Sequence, residues 1–209
     1  KQFSGLNAIP IVLDTTDPDE IVETCIRLQP SFGAINLEDI SAPRCFEIED
    51  RLKEALDIPV MHDDQHGTAV VVLAGMINAC RLTGRKPEDL KVVVSGAGAA
   101  GVACTKIILN AGVKNVIVLD SHGIVSRGRE GLNPVKESLA EITNPDNIVG
   151  GQAEAFEGAD VFVGVSAGHV AEDIVAEMAP DALIFSLSNP DPEIPVDAAH
   201  RHASIVATG

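Results

Sequence analysis

Two pairs of adjacent acidic residues carry the clearest chemical signal in this sequence. Glu38 and Asp39 follow the run GAINL, and Asp63 and Asp64 follow PVMH. Both runs predict short β-strands, and open α/β sheets bind their ligands at the carboxyl ends of the strands. Carboxylates from two neighbouring strand ends suit a hard divalent cation such as Mg²⁺ or Mn²⁺. Because adjacent strand residues face opposite ways, one acid of each pair can lie behind the metal ligands.

A structural role for the same acids is the alternative. The run GTAVVVLAGMINACRL, residues 67–82, is apolar almost all round and predicts a helix buried on most sides. Asp64 would then be the N-cap of that helix, and Asp63 a solvent-facing acid. His62 and His66 have the spacing of zinc ligands on a helix. We place His62 on a strand and His66 in a turn, however, so the pattern favours oxygen ligands over zinc.

A glycine-rich loop stands between a predicted strand and a predicted helix in the second half of the chain. In VVVSGAGAAG, Gly96 permits a tight turn, Gly98 lets the backbone approach a pyrophosphate, and Gly101 allows the helix to lie close to the sheet. The positive end of the helix dipole attracts the phosphate charge. This context predicts a dinucleotide site, and a tight βα turn without a ligand is the alternative. The residues predicted to contact the cofactor are Gly96, Ala97, Gly98, Ala99, Ala100, Gly101 and, from the small-residue run VFVGVSAG, Val165 and Ser166 beside the nicotinamide ribose.

The strand after this loop ends in a residue that bears on the choice of cofactor. Asp120 would accept hydrogen bonds from the adenosine ribose, which favours NAD over NADP on charge grounds. His122, Arg127 and Arg129 follow closely. Any of these three side chains folding back towards a 2′-phosphate would favour NADP instead. The sequence therefore predicts NAD or NADP as the cofactor and leaves the choice between them open.

The order of the predicted elements determines the expected fold. Apolar β-rich runs alternate with helical runs, which predicts an α/β fold with a Rossmann-type, doubly wound parallel sheet and a small α/β portion at the N-terminus. The polar linker TGRKPEDLK divides the chain into two predicted parts. Residues 1–84 would end a substrate and metal domain together with a connecting helix, and residues 85–209 would form a dinucleotide-binding domain.

Local signals predict where several elements begin and end. Residues 9–14, IPIVLD, predict a strand, and Asp17 with Pro18 predicts the start of the helix that follows. Ser41 is a predicted cap for the next helix, and Gly84 is predicted to end the long apolar helix.

Composition excludes several classes of partner. The 209 residues carry 15 Lys and Arg against 31 Asp and Glu, a formal net charge of −16 at pH 7. Such a field repels nucleic acid and anionic membranes, and a small dicarboxylate substrate would need a local cation.

No apolar run reaches the roughly 18 residues of a membrane span, and the first residues lack a signal-peptide pattern, so we expect a cytoplasmic protein. The four cysteines form no CxxC pair and are predicted to be reduced core thiols.

Four segments in this order resemble the malic enzymes, specifically the short bacterial type: FGAINLEDISAPRCFEIE, IPVMHDDQHGTA, VVVSGAGAAG and SLSNPDPEI. The resemblance implies an enzyme that decarboxylates L-malate oxidatively to pyruvate and CO2 with NAD or NADP and with Mg²⁺ or Mn²⁺. It implies a homodimer or a higher homo-oligomer. Glu38, Asp39 and Asp64 resemble the metal ligands, and Asp63 resembles the acid beside them in the catalytic relay. Asn189 resembles a residue near the substrate and the nicotinamide, although a turn residue is the alternative.

The chain departs from the pattern of this family in its acid and base. The family relies on a Tyr as acid and a Lys as base, whereas this sequence contains no Tyr, and Lys1 matches a position just after the family's Lys. We therefore expect a part of a longer protein that binds dinucleotide, binds metal weakly and turns malate over negligibly by itself. A malolactic enzyme, which releases lactate with NAD bound, and a non-catalytic dinucleotide-binding module are the alternatives.

Overall fold

A computed structural model describes residues 4–209 of the chain. These residues contain eight α-helices, eight β-strands and two short 3-10 helices. The helices are α1 Pro18–Leu28, α2 Arg44–Ala55, α3 Asp63–Thr83, α4 Ala99–Asn110, α5 Pro134–Ile142, α6 Gln152–Phe156, α7 Glu172–Val175 and α8 Val196–His202. The strands are β1 Ile35–Leu37, β2 Val60–His62, β3 Lys91–Ser95, β4 Asn115–Asp120, β5 Gly123–Ile124, β6 Val161–Gly164, β7 Ala182–Ser186 and β8 Ala203–Thr208. Within this described range, no helix has the length and apolar character needed to cross a membrane.

Six of the strands form one large sheet in the order β5-β4-β3-β6-β7-β8. All neighbours are parallel except β4 and β5, which are antiparallel. The middle strands are buried on both faces, as their continuous apolar runs require. Val92 and Val94 pack with α3, α4 and α5 on one face, while Val93 packs with α6, α7 and α8 on the other. The predicted Rossmann-type, doubly wound sheet is confirmed.

The other two strands, β1 and β2, form a small parallel pair that packs with α1 and α2. Ile21 and Ile48 lie in the core of this N-terminal portion. α3 begins directly at the end of β2 and packs on one face of the large sheet, beside α4. Gly75 permits its close approach to β7, because a Cβ there would lie 2.9 Å from the ring of Phe185. The division of the chain at residue 84 stays a prediction.

Two of the local predictions are wrong and the others are confirmed. Asp17 caps α1 with its side chain, and Gly84 ends α3 in the left-handed conformation with φ +69°. Residues 9–14 form no strand, because within the described chain they pair with no neighbouring strand. Ser41 does not cap α2, since the helix begins only at Arg44, and the Ser41 hydroxyl instead accepts a hydrogen bond from Arg44 at 3.1 Å.

The cysteines behave as the sequence predicts. Cys25, Cys45, Cys80 and Cys104 are all buried and none is bonded to another. Burial raises the pKa of Cys104 to about 12. A thiol with so high a pKa stays protonated at neutral pH and is a poor nucleophile, so this residue serves packing.

Candidate functional site

The register of the small sheet brings the two acidic pairs to one place. β1 and β2 pair up to their last residues, Leu37 and His62, so both acidic pairs leave the strands at the same edge. One carboxylate oxygen from each of Glu38, Asp39 and Asp64 lies within 4.8 Å of the other two. Two of these side chains are exposed and one is half-buried, which leaves room for further ligands. Three hard oxygen donors at this separation fit Mg²⁺ or Mn²⁺, and we retain the metal-ligand roles as predictions.

A backbone bend at Asp39 completes this three-acid cluster. Asp39 has a φ of +56°, in the left-handed region that costs a non-glycine residue about 1 kcal/mol or more. Its backbone N–H donates a hydrogen bond to Oδ2 of Asp64 at 3.0 Å. This bond holds the end of β1 against the first turn of α3. Strained residues of this kind collect at functional sites, which supports a ligand-binding role for the cluster.

Asp64 is not the N-cap of α3, which removes the simplest structural explanation for this acid. The helix starts at Asp63, and the extended residue His62 is its N-cap. Asp64 therefore lies within the first turn, where the positive end of the helix dipole stabilises its charge. Because the helix starts earlier than predicted, His66 lies on the helix and not in a turn.

Asp63, the predicted relay acid, lies beside the three-acid cluster without joining it. Its carboxylate packs over Gly67, one turn further along α3, where a Cβ would overlap Oδ1 of Asp63. A side chain at position 67 would therefore force the Asp63 carboxylate to move from its present position. The catalytic role of Asp63 stays a prediction.

The cluster carries negative charge that its surroundings do not neutralise. Among residues 4–209, no Lys or Arg forms an ion pair with Glu38, Asp39 or Asp64. Partial burial, together with the charges of Asp63 and Asp64, raises the pKa of Glu38, and a hydrogen bond from Asn36 offsets part of that rise. Bringing these carboxylates together is therefore unfavourable in the absence of a cation, and a divalent ion would remove the repulsion.

The two neighbouring histidines lie beside the acid cluster but are not part of it. His66 Nε2 lies 2.8 Å from Oε1 of the buried Glu49 on α2, and His62 donates its backbone N–H to the same oxygen at 3.2 Å. The ring of His62 is fully buried. Its Nε2 is 3.3 Å from Oδ2 of Asp64 but outside hydrogen-bonding geometry. Neither histidine belongs to the acid cluster, which agrees with a site built from oxygen ligands.

A cleft of about 930 Å³ opens at the carboxyl ends of β3, β4 and β6. This is where the order of strands changes direction, and where open α/β sheets bind dinucleotides. The predicted residues Gly96, Ala97, Gly98, Asp120, Val165 and Ser166 all line the cleft. Ala99, Ala100 and Gly101 lie behind it, in the first turn of α4.

The three glycines of the loop differ in what a side chain would meet. Gly96 has φ +122°, and a Cβ on it would lie 3.1 Å from the carbonyl oxygen of Val165. Gly98 is the N-cap of α4 and faces open space, so the backbone there is accessible to a ligand. A Cβ on Gly101 would overlap the carbonyl oxygen of Gly96. These positions agree with the roles that the sequence predicts for a pyrophosphate-binding loop.

Asp120 is surrounded by hydrogen-bond donors. Its carboxylate accepts hydrogen bonds from Arg129 and Lys136, with Lys136 Nζ at 2.6 Å, and from the backbone N–H of His122 at 2.9 Å. Burial alone would raise the pKa of Asp120, but hydrogen bonds from Arg129 and Lys136 hold it well below its usual range. Arg127 is directed elsewhere, to the carbonyl oxygen of Pro145. One carboxylate and two cations leave this corner of the cleft with a net positive charge.

Lys136 is a residue of the cleft wall that sequence reasoning missed. It lies in the first turns of α5, and the fold brings it back to the end of β4. The available signal was weak, since one lysine in an amphipathic helix ordinarily predicts a solvated side chain. Only the packing of α5 against the large sheet shows that it reaches Asp120.

The loop after β6 lines the cleft through Ser166, whereas Asn189 in the loop after β7 does not line it. Ser166 lies in its wall, and Ser166 Oγ is 3.2 Å from Oγ of Ser95, at the end of β3. Asn189 follows β7, is exposed, and does not line the cleft. Its predicted roles in binding substrate and cofactor stay predictions.

The segment that carries the first acidic pair also forms a wall of the cleft. Ala42, Pro43 and Phe46 line it together with the glycine loop, a few residues after Glu38 and Asp39. The chain therefore leads from the three-acid cluster directly into a wall of the dinucleotide cleft. This arrangement suits a reaction between a metal-bound substrate and a dinucleotide.

Two family models match the chain. The model described as "Malic enzyme, NAD binding domain" matches residues 65–209, which include the glycine loop and the cleft walls at β4 and β6. The model described as "Malic enzyme, N-terminal domain" matches residues 2–53, which include Glu38 and Asp39.

Similar proteins agree with these models. The chain is 54% identical over 210 residues to the NAD-dependent malic enzyme of Geobacillus stearothermophilus, covering 100% of this chain and 44% of that protein. It is 50% identical to the bifunctional malic/malolactic enzyme of Bacillus subtilis, covering 100% of this chain and 52% of that protein. It superposes on the crystal structure of the NAD-dependent malic enzyme of Thermotoga maritima with a TM-score of 0.96 and 46% identity, covering 100% of this chain and 56% of that one. The chain thus spans about half the length of these relatives. Since the NAD-binding-domain model covers most of its residues, the chain belongs to the malic enzyme family.

Proposed function

We propose that this chain supplies the divalent-metal site and the NAD(P) site of an enzyme that oxidatively decarboxylates L-malate to pyruvate and CO2. The observation that carries the proposal is that the segment just after Glu38 and Asp39, which form an acid cluster with Asp64, lines the dinucleotide cleft through Ala42, Pro43 and Phe46. Membership of the malic enzyme family supports it. Because the protein is strongly acidic, with a net charge of −16, a dicarboxylate also needs a cation in order to bind.

The described residues divide the chemistry between them. Glu38, Asp39 and Asp64 would hold a divalent cation, which supplies Lewis acidity at the C2 oxygen of malate and stabilises the charge left when CO2 departs. The glycine loop and the cleft walls would hold the dinucleotide, whose nicotinamide would supply the acceptor for the hydride from C2, while a base would take the C2 hydroxyl proton. The C4 carboxylate then leaves as CO2, and protonation at C3 completes pyruvate. We assign Asp63 to the relay that accepts the hydroxyl proton, and Asn189 to a substrate carboxylate.

The direct test is malate-dependent formation of NAD(P)H. By itself the chain should bind dinucleotide and turn malate over at background level, because none of its residues is a Tyr that could act as the family's acid. A chimera that adds the remaining regions of the Geobacillus relative on both sides of this chain should restore turnover, and Glu38→Ala/Asp64→Ala in that chimera should abolish it. Robust turnover by the chain alone, or an active double variant, would contradict the assignment.

A second outcome for the same site is release of lactate. The name of the Bacillus relative, which includes malolactic activity, is the observation that favours it. In that case the bound dinucleotide would be reduced and reoxidised within one turnover, so no net NADH would accumulate. Chromatographic analysis of the product in the chimera distinguishes pyruvate from lactate.

The corner of the cleft around Asp120 should accept either NAD or NADP. Both oxygens of Asp120 are occupied by Arg129, Lys136 and a backbone N–H, so its charge does not repel a 2′-phosphate as a free carboxylate would. We expect Lys136→Gln to raise the Kd of NADP about tenfold, the value of one charge-assisted contact, with little change for NAD. Calorimetric titration of both cofactors measures this.

The matched control for this variant is Lys114→Gln. Lys114 is exposed and immediately precedes β4, at the end of the strand remote from the cleft. The Lys114→Gln variant loses the same charge without touching the site. Comparing the two variants therefore separates the loss of a local contact with NADP from a change in the protein's overall electrostatic field. Equal weakening of NADP binding in the two variants would exclude Lys136 as a phosphate ligand.

A further inference from the structure

Glu193 is a buried carboxylate that the proposed chemistry does not use. Its side chain is 0% exposed, in the loop between β7 and α8. Among the residues from 4 to 209, no Lys, Arg or His forms an ion pair with it. Burying a charge without a partner of opposite sign is costly unless hydrogen bonds compensate. A position of this kind therefore needs a specific explanation.

Three hydrogen-bond donors converge on the Glu193 carboxylate. Oε1 accepts from the backbone N–H of Ser166 at 2.9 Å. Oε2 accepts from the hydroxyl of Ser186 at 2.9 Å and from the backbone N–H of Ser188 at 3.3 Å. The backbone of Glu193 adds a further link, since its carbonyl oxygen accepts from the N–H of Val170 at 2.9 Å.

These contacts join the loops that follow two adjacent strands. Ser166 follows β6 and lies in the wall of the cleft, where its hydroxyl meets that of Ser95, at the end of β3. Ser188 follows β7 and immediately precedes Asn189. One side chain thus connects the carboxyl ends of β6 and β7 directly, and the end of β3 through Ser166.

The end of β6 is shaped to admit this carboxylate. A Cβ on Gly164 would lie 2.5 Å from Cδ of Glu193. Any larger residue at 164 would push the carboxylate away from its donors. The last residue of β6 and the buried acid therefore form one packing unit beneath the loop that carries Val165 and Ser166.

We propose that Glu193 is a positioning residue for the nicotinamide half of the dinucleotide site. It lies beneath the cleft and does not line it, and it holds the loops after β6 and β7 in the geometry that receives the nicotinamide ribose. A carboxylate suits this position because it only accepts hydrogen bonds and three donors face it. An amide would place its NH2 group against one of those donors. The inference rests on the proposed dinucleotide site.

The test compares Glu193→Gln with the wild-type protein, using NADH and ADP-ribose as probes. ADP-ribose lacks the nicotinamide and uses only the half of the cleft near the glycine loop and Asp120. We expect Glu193→Gln to raise the Kd of NADH about tenfold or more, the loss of one hydrogen bond to a charged group, while that of ADP-ribose stays within about twofold. The fluorescence enhancement that NADH shows on binding should be smaller in Glu193→Gln than in the wild-type protein.

Two further variants distinguish a specific effect on NADH binding from a general loss of protein stability. Val116→Ala removes buried volume from β4, which ends at the adenosine side of the cleft, and should lower the melting temperature without changing the ratio of the two dissociation constants. Ser186→Ala removes one donor to Glu193 and should shift the same ratio in the same direction by a smaller factor. It provides the comparison if Glu193→Gln does not fold.

Each outcome decides the question. Equal weakening of NADH and ADP-ribose, or an unchanged ratio in both Glu193→Gln and Ser186→Ala, would overturn the positioning role and leave the dinucleotide site intact. Failure of the wild-type protein to bind either probe would overturn the proposed dinucleotide site, and the inference with it. A selective loss of NADH affinity supports both.

Discussion

Asp64→Asn should weaken the binding of Mn²⁺ strongly while leaving the fold intact. In the wild type, Asp64 accepts a hydrogen bond from the backbone N–H of Asp39 at 3.0 Å. The amide oxygen of Asn can still accept this hydrogen bond, but the amide brings no negative charge to the metal ion. We expect the Kd of Mn²⁺ to rise by roughly 100-fold, as for the loss of an important coordinating contact. The wild-type affinity should itself be no tighter than micromolar without malate, because substrate supplies the remaining ligands. Isothermal titration calorimetry with and without malate measures both quantities.

The stability of the metal-free variants provides an independent check on this site. Asp64→Asn removes one charge from a cluster with which no Lys or Arg of residues 4–209 forms an ion pair, so its melting temperature without metal should equal or exceed that of the wild type. Asp64→Ala loses the hydrogen bond to Asp39 as well and should melt lower. Asp57→Asn, at an exposed acid outside the cluster, is the matched control and should change neither Mn²⁺ binding nor melting. Unaltered Mn²⁺ affinity in Asp64→Asn would show that the acids are structural.

Gly101→Ala should weaken dinucleotide binding strongly through a backbone clash. The added Cβ would overlap the carbonyl oxygen of Gly96, and neither group is the end of a flexible side chain. Relief requires α4 to move away from the loop, which should cost about 1–3 kcal/mol of stability or more. Because both the loop geometry and the helix N-terminus are then displaced, NAD affinity should fall by roughly 100-fold, about 2.7 kcal/mol. Melting and calorimetry together measure the two effects.

Two other glycines separate folding from binding. A Cβ on Gly98 meets nothing within 4 Å, so Gly98→Ala should melt like the wild type. Its methyl group would nevertheless occupy the place where the pyrophosphate approaches, and NAD affinity should fall about tenfold. Gly33→Ala, also in open space but in the N-terminal portion, should change neither property. A Gly98→Ala protein that binds NAD like the wild type would show that the pyrophosphate lies elsewhere.

The local chemistry of the sequence determined the elements and the identity of the main candidate residues. Continuous apolar β-rich runs predict strands buried on both faces, and the spacing of Gly96, Gly98 and Gly101 predicts a strand, a tight turn and a close helix. The two acidic pairs are recognisable because they follow strands directly. These signals depend on neighbours along the chain. The isolated run 9–14 failed because a strand also needs a partner, which local composition does not supply.

Tertiary structure alone decided which side chains meet. The pairing of β1 with β2 up to His62 places Asp64 within reach of Asp39, and no pattern within either segment specifies that register. In the same way, Lys136 reaches Asp120 at the end of β4 from α5, and Glu193 accepts hydrogen bonds from Ser166, after β6, and from Ser188, after β7. A charged group is stabilised by whatever donors or charges surround it in three dimensions, whatever their distance along the chain. For this reason the sequence predicted the acids and the glycine loop, while their partners appeared only in the folded chain.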